Sequence, residues 1–185
     1  GPGEIFLRHD VDLSVESAIN MARIEADYDV EATYCILVTS ALYNPLDSRW
    51  RDTIRAIEVL GHDVALHFST HEYWGGIDRP DEETVSHRVR AEQSVLGTIT
   101  SGTPETVSFH VPPDWVLGRS FEGFRSTYAP TYFSDIGYVA DSGQRWREDP
   151  PAVDDLPSRV QVLTHPGLWG ERDDSFRGRV EHAVE

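Results

Sequence analysis

A chain of 185 residues, 39% of them hydrophobic, is long enough for one domain around one core, which sets aside a disordered tail. No apolar run approaches the ~20 residues of a membrane helix. Thirty-two acidic residues against sixteen basic ones give a formal charge of −16, and every basic residue is Arg. A phosphate backbone demands a basic stripe, so a nucleic-acid partner is not expected. The acidity fits adaptation to high salt, or equally a GC-rich genome with an ordinary acidic surface. The single cysteine, Cys35, stands in the apolar run Tyr34 to Val38 and reads as a buried structural thiol. With no disulfide expected, a reducing, cytoplasmic setting is the reading, and secretion stays open. Gly1-Pro2-Gly3 reads as a tag remnant, leaving a domain over 4–185. Oligomeric state is not legible.

In chain order, Glu4 to Arg8 reads as a first strand running into His9-Asp10-Val11-Asp12. Ser14 is a good N-cap for a helix whose apolar positions recur through Ser17 to Ile24. Val30 to Val38 is rich in β-branched and aromatic residues and reads as a strand. Ser48 to Leu60 predicts a helix closed by Gly61, and Asp63 to Phe68 a further strand. Asp81-Glu82-Glu83 gives an acidic first turn to a helix reaching about Leu96. Val107 to His110, Tyr138 to Asp141 and Val160 to Thr164 read as strands, and Phe176 to Val184 as a closing helix. This alternation predicts an α/β domain with a mostly parallel sheet. No internal repeat or linker interrupts it.

Metal-competent side chains gather at the C-terminal ends of these strands: Asp10 and Asp12, His67 and His71, His110, Asp141, His165. In parallel α/β folds that edge is where loops converge and chemistry collects. Asp10 and Asp12, at i and i+2 on an extended segment, point to one side. They could divide a task between metal binding and proton abstraction, or simply form a turn leading into the helix. His67 and His71, four apart, can chelate one cation from one face of a helical turn. With Asp12 they make two imidazoles and one carboxylate, a set that leaves positions open for water and substrate. His165 suits a general acid, or is a loop histidine with its hydrogen bonds satisfied.

Taken together these segments resemble the polysaccharide deacetylases of carbohydrate esterase family 4, the NodB homology superfamily, in a small variant with an Arg8-His9-Asp10-Val11-Asp12 first motif. The likeness runs from Phe6 to Trp169. It implies an irregular (β/α)7-type barrel in a single compact domain, lean enough for a strand or helix to be missing. It implies Asp10 as catalytic base, Asp12, His67 and His71 as ligands of one divalent metal, and His165 as general acid. The ion expected is Zn, with Co, Ni, Fe or Mn as alternatives. Gly61 to His71 follows the family's histidine-pair motif almost residue for residue. The third motif departs: His110 stands where an Arg normally tethers the catalytic Asp, and is left to bond Asp10 or touch substrate. The fourth motif supplies Asp141 to orient His165 but no following Trp. Trp169 fits a pocket wall or core packing equally. The activity implied is removal of an N-acetyl or similar acyl group from an amino sugar or glycan. Two alternatives are hydrolysis of another non-peptide C–N bond in a small metabolite, and a catalytically silent relative that binds metal or carbohydrate.

Overall fold

The computed structural model describes residues 3–75 and 79–184. Gly1 and Pro2 of the expected tag remnant, and Glu185, lie outside the described residues. Among the described residues seven strands form one sheet, in order β5-β4-β3-β2-β1-β7-β6 with every pairing parallel. They are β1 (Glu4–Val11), β2 (Thr33–Leu37), β3 (Asp63–Ser69), β4 (Thr106–His110), β5 (Arg125–Ser126), β6 (Gly137–Ala140) and β7 (Arg159–Thr164). Among the described residues five α-helices accompany them: α1 (Val15–Asp27), α2 (Ser48–Val59), α3 (His71–Trp74), α4 (Glu82–Leu96) and α5 (Phe176–Ala183). The expected (β/α)7-type barrel is therefore present in its irregular form, with β5 and β6 as the two sheet edges. None of the helices is long and apolar enough to cross a membrane among the described residues.

The local chemistry explains the elements. Ser14 accepts from the Ser17 N–H and Asp81 from the Thr84 N–H, so both helices begin on a side-chain cap. Gly61, at φ +98°, turns the chain out of α2 in a conformation that suits only glycine well. Helix α1 buries Val15, Ala18, Ile19 and Ala22, spaced for one face. Phe68, Phe109, Phe121 and Phe124 are buried together at the β3–β4 side.

Side chains bridge the two edges where no strand pairing does. Gln161 of β7 donates to the carbonyls of Thr127 (3.1 Å) and Tyr132 (2.7 Å), in the segment after β5. Tyr128 lies against Tyr138 of β6 at 6.4 Å between ring centroids, with Phe133 4.9 Å from Tyr138. Arg8 of β1 reaches the same seam. The sheet is thus curled with its interior on the face that carries Arg8 and Asp10. On the opposite face His9 is buried under α1, its Nδ1 2.6 Å from Thr164 Oγ1 and its Nε2 2.8 Å from Glu25 Oε1.

Candidate active site

Strand β1 runs three residues beyond the expected Arg8, so Arg8 and Asp10 both sit within it and point to the same side. Both are 2% exposed. Arg8 Nη2 donates to Asp10 Oδ2 at 3.3 Å, and Arg8 Nε lies 3.2 Å from Oδ1 without the alignment of a hydrogen bond. Ser108 of β4 donates to Oδ2 at 3.0 Å. Burial by itself would raise the Asp10 carboxyl. The Arg8 guanidinium, with His67 and His165 adding, outweighs it and holds the group below the usual carboxylate range. The rest of Arg8 is occupied by Thr127 Oγ1 (2.6 Å), Tyr128 OH (3.0 Å) and Gln161 Oε1 (3.2 Å). An arginine does tether the first aspartate. It comes from two residues upstream on the same strand and not from β4.

That shift leaves position 110 free. Asp12 Oδ1 lies 3.0 Å from His67 Nε2 and 3.1 Å from His110 Nδ1, and the two imidazole nitrogens are 3.2 Å apart. A tetrahedral shell with bonds of ~2.1 Å places its donors about 3.4 Å from one another. One carboxylate and two imidazoles at these separations fit a zinc-like divalent ion. The other nitrogen of His67, buried and without a hydrogen-bond partner, faces Asp10 Oδ2 at 3.9 Å. This approximates the carboxylate behind a ligating histidine that metal centres commonly carry. Burial opposes the ionised form of Asp12, but hydrogen bonds from His110 and His67 draw its carboxyl well down.

His71 does not join this trio. It begins α3, is exposed, and turns Nε2 toward the carbonyl of Val111 at 3.3 Å. Among the described residues the donors that converge within 4.8 Å are those of Asp12, His67 and His110. Val111, directly after His110, has φ +43°, a strained conformation for a β-branched residue that a ligand-bearing turn can retain.

His165 follows β7. Its Nδ1 donates to Asp141 Oδ1 at 2.5 Å, its backbone N–H donates to Oδ2 at 3.0 Å, and Nε2 stands 3.8 Å from Asp12 Oδ2. Burial disfavours the imidazolium, yet the Asp141 hydrogen bond and the Asp10 and Asp12 charges raise its pKa overall. The Trp absent after Asp141 arrives from elsewhere: Trp169 donates its indole N–H to Asp141 Oδ2 at 2.7 Å. Asp10, Asp12, His67, His110 and His165 all line one cleft of about 600 Å3 whose remaining walls are largely apolar. Arg8 is the partner of Asp10 that the motif reading passed over. The available signal was an arginine inside an apolar strand, in step with Asp10.

No family model matches the chain, and none of the curated proteins matches it significantly. Solved structures do. The peptidoglycan deacetylase PdaC from Bacillus subtilis superposes with a TM-score of 0.59 at 15% identity, over 99% of this chain and 81% of that one. A family 4 pseudoenzyme from Bacillus anthracis gives 0.56 at 13%, over 100% of this chain, which spans only 60% of that protein. A family 4 acetyl xylan esterase from Clostridium thermocellum, solved with a cobalt ion, gives 0.52 at 11%, over 97% and 80%. What such identities share is architecture: the chain has the fold of the family 4 carbohydrate esterases.

Proposed function

We propose that this protein is a metal-dependent hydrolase of non-peptide C–N bonds, and that it removes an acyl group, N-acetyl foremost, from an amino sugar. The observation that carries the reading is the convergence of Asp12, His67 and His110 at 3.0–3.2 Å beside a buried carboxylate and an Asp-backed histidine. Asp12 Oδ1, His67 Nε2 and His110 Nδ1 are the atoms that would hold a divalent ion. When bound, such an ion supplies Lewis acidity to the substrate carbonyl and brings the pKa of an attached water toward ~7.

The chain's own groups do the rest. Asp10, ionised by its contact with Arg8, accepts the proton of the attacking water. Asp141 favours the His165 imidazolium, and His165 presents Nε2 to the cleft, where it protonates the departing amine. Apolar walls such as Leu37, Leu163 and Leu168 limit water around the reacting bond.

The test uses release of acetate from N-acetylglucosamine oligomers by the zinc-loaded protein. Asp10→Asn is expected to lower turnover by roughly 10²–10⁴-fold, the usual contribution of a positioned base, while metal per chain stays unchanged by elemental analysis. Undiminished turnover in that variant removes Asp10 from the mechanism. No acetate release by the wild type from any N-acetylated sugar leaves a silent metal-binding relative as the better account.

A further inference from the structure

A second cavity, about 240 Å3, lies beside the cleft. Leu168 lines both, and Asp141, the partner of His165, lines the second. Two of its walls are indoles, Trp146 and Trp169, set edge to face at 6.2 Å. Its charged lining is mostly guanidinium, from Arg147, Arg172 and Arg179. In a chain with twice as many acids as arginines, that local excess is unusual.

The balance of charge inside the cavity is specific. Asp141 has both oxygens occupied, one by His165 Nδ1 and the other by the His165 backbone N–H and Trp169. Asp173 is paired with Arg147 at 2.7 Å. Among the described residues Arg172 and Arg179 have no carboxylate within ion-pair distance. Arg179 is also seated. Its Nη2 donates to the Arg172 carbonyl at 2.5 Å, and its guanidinium packs so closely on Gly170 that a Cβ there would come within 2.4 Å of Nη1. Its Nε is buried without an acceptor.

We propose that this cavity binds an anionic sugar unit, a ring bearing a carboxylate or phosphate, adjoining the unit that is hydrolysed. Indole faces offer flat apolar surface to a sugar ring. Guanidinium groups match the geometry of an oxyanion and are its strongest side-chain donors. Only the cavity's place beside the hydrolysed unit rests on the deacetylase reading; the binding itself does not.

The test follows the indole N–H resonances of Trp146 and Trp169 during titration with glucuronate, glucose 6-phosphate and glucose at constant ionic strength. One of the two anionic sugars is expected to shift both resonances, and to bind at least about tenfold more tightly than glucose. Which anionic sugar does so identifies carboxylate or phosphate as the group read. Arg172→Gln, on the exposed side, and Arg179→Gln are each expected to weaken that binding about tenfold. Asp10→Asn is expected to leave it unchanged. Equal binding of all three sugars, unmoved indole resonances, or Arg variants that bind like wild type would overturn the proposal. Binding that persists in a protein unable to deacetylate anything would keep the cavity's role and overturn only the reaction.

Discussion

Arg8 places a full positive charge in the barrel interior, where Asp10, Thr127, Tyr128 and Gln161 accept its hydrogen bonds. Removing it leaves the buried Asp10 carboxylate without its cationic partner. Arg8→Met is expected to lower unfolding free energy by about 3–5 kcal/mol, the usual consequence of breaking a buried pair. The double variant with Asp10→Asn should lose less than the sum of the two single changes, because the unpaired charge is gone. Denaturant unfolding measures both. A loss under about 1 kcal/mol for Arg8→Met would mean the ion pair does not organise this interior. The same residue shows why a motif can mislead. The arginine that contacts Asp10 comes from β1 and not from β4, and position 110 carries an imidazole beside Asp12. No local pattern around His110 announces that exchange, because it depends on which strands face one another across the curl.

At the scale of elements, the helices were the most legible part. Ser14, Asp81 and Gly61 act through bonds to neighbours a few residues away, so their meaning survives without tertiary structure. Strand β5 was invisible. It has two residues, Arg125 and Ser126, and exists only because β4 offers it an edge. Helix α4 carries a feature the periodicity did not reveal: Glu92 takes a place in its buried stripe with Val85, Val89 and Leu96. Tyr73 of α3 donates to Glu92 Oε1 at 2.6 Å, and Oε2 has no partner. Burial, the larger influence, pushes the carboxyl up from 4.5 to about 7 against the lowering hydrogen bond from Tyr73. The folded state therefore holds this proton more tightly than the unfolded chain. The stabilisation is complete below the unfolded value and fades as pH rises through about 7. Thermal unfolding should show stability falling between about pH 5 and about pH 8, by roughly 2 kcal/mol from this group. Glu92→Gln keeps an acceptor for Tyr73 and should flatten that slope. An unchanged slope would show that Glu92 is not the titrating group.

For the whole molecule, alternating apolar runs and helices are enough to read a parallel α/β barrel, and strand ends are enough to read which polar side chains gather in its cleft. The side-chain seam that joins the β5 and β6 edges through Gln161, Tyr128 and Tyr138 was not, since it is made of contacts between residues far apart in sequence. The same limit governs the candidate metal site. The four-residue spacing of His67 and His71 is a helical signature, yet His67 lies in β3 and His71 in α3. β3 and β4 run side by side and bring His67 to His110, while His71 turns toward the Val111 carbonyl.

Metal content per chain in His110→Ala and His71→Ala, each reconstituted with zinc, tests this assignment most directly. Loss of most bound zinc from His110→Ala with near-complete retention in His71→Ala is the result expected. Full occupancy in His110→Ala together with loss in His71→Ala would contradict it and return the ion to the pair that the sequence spacing suggests.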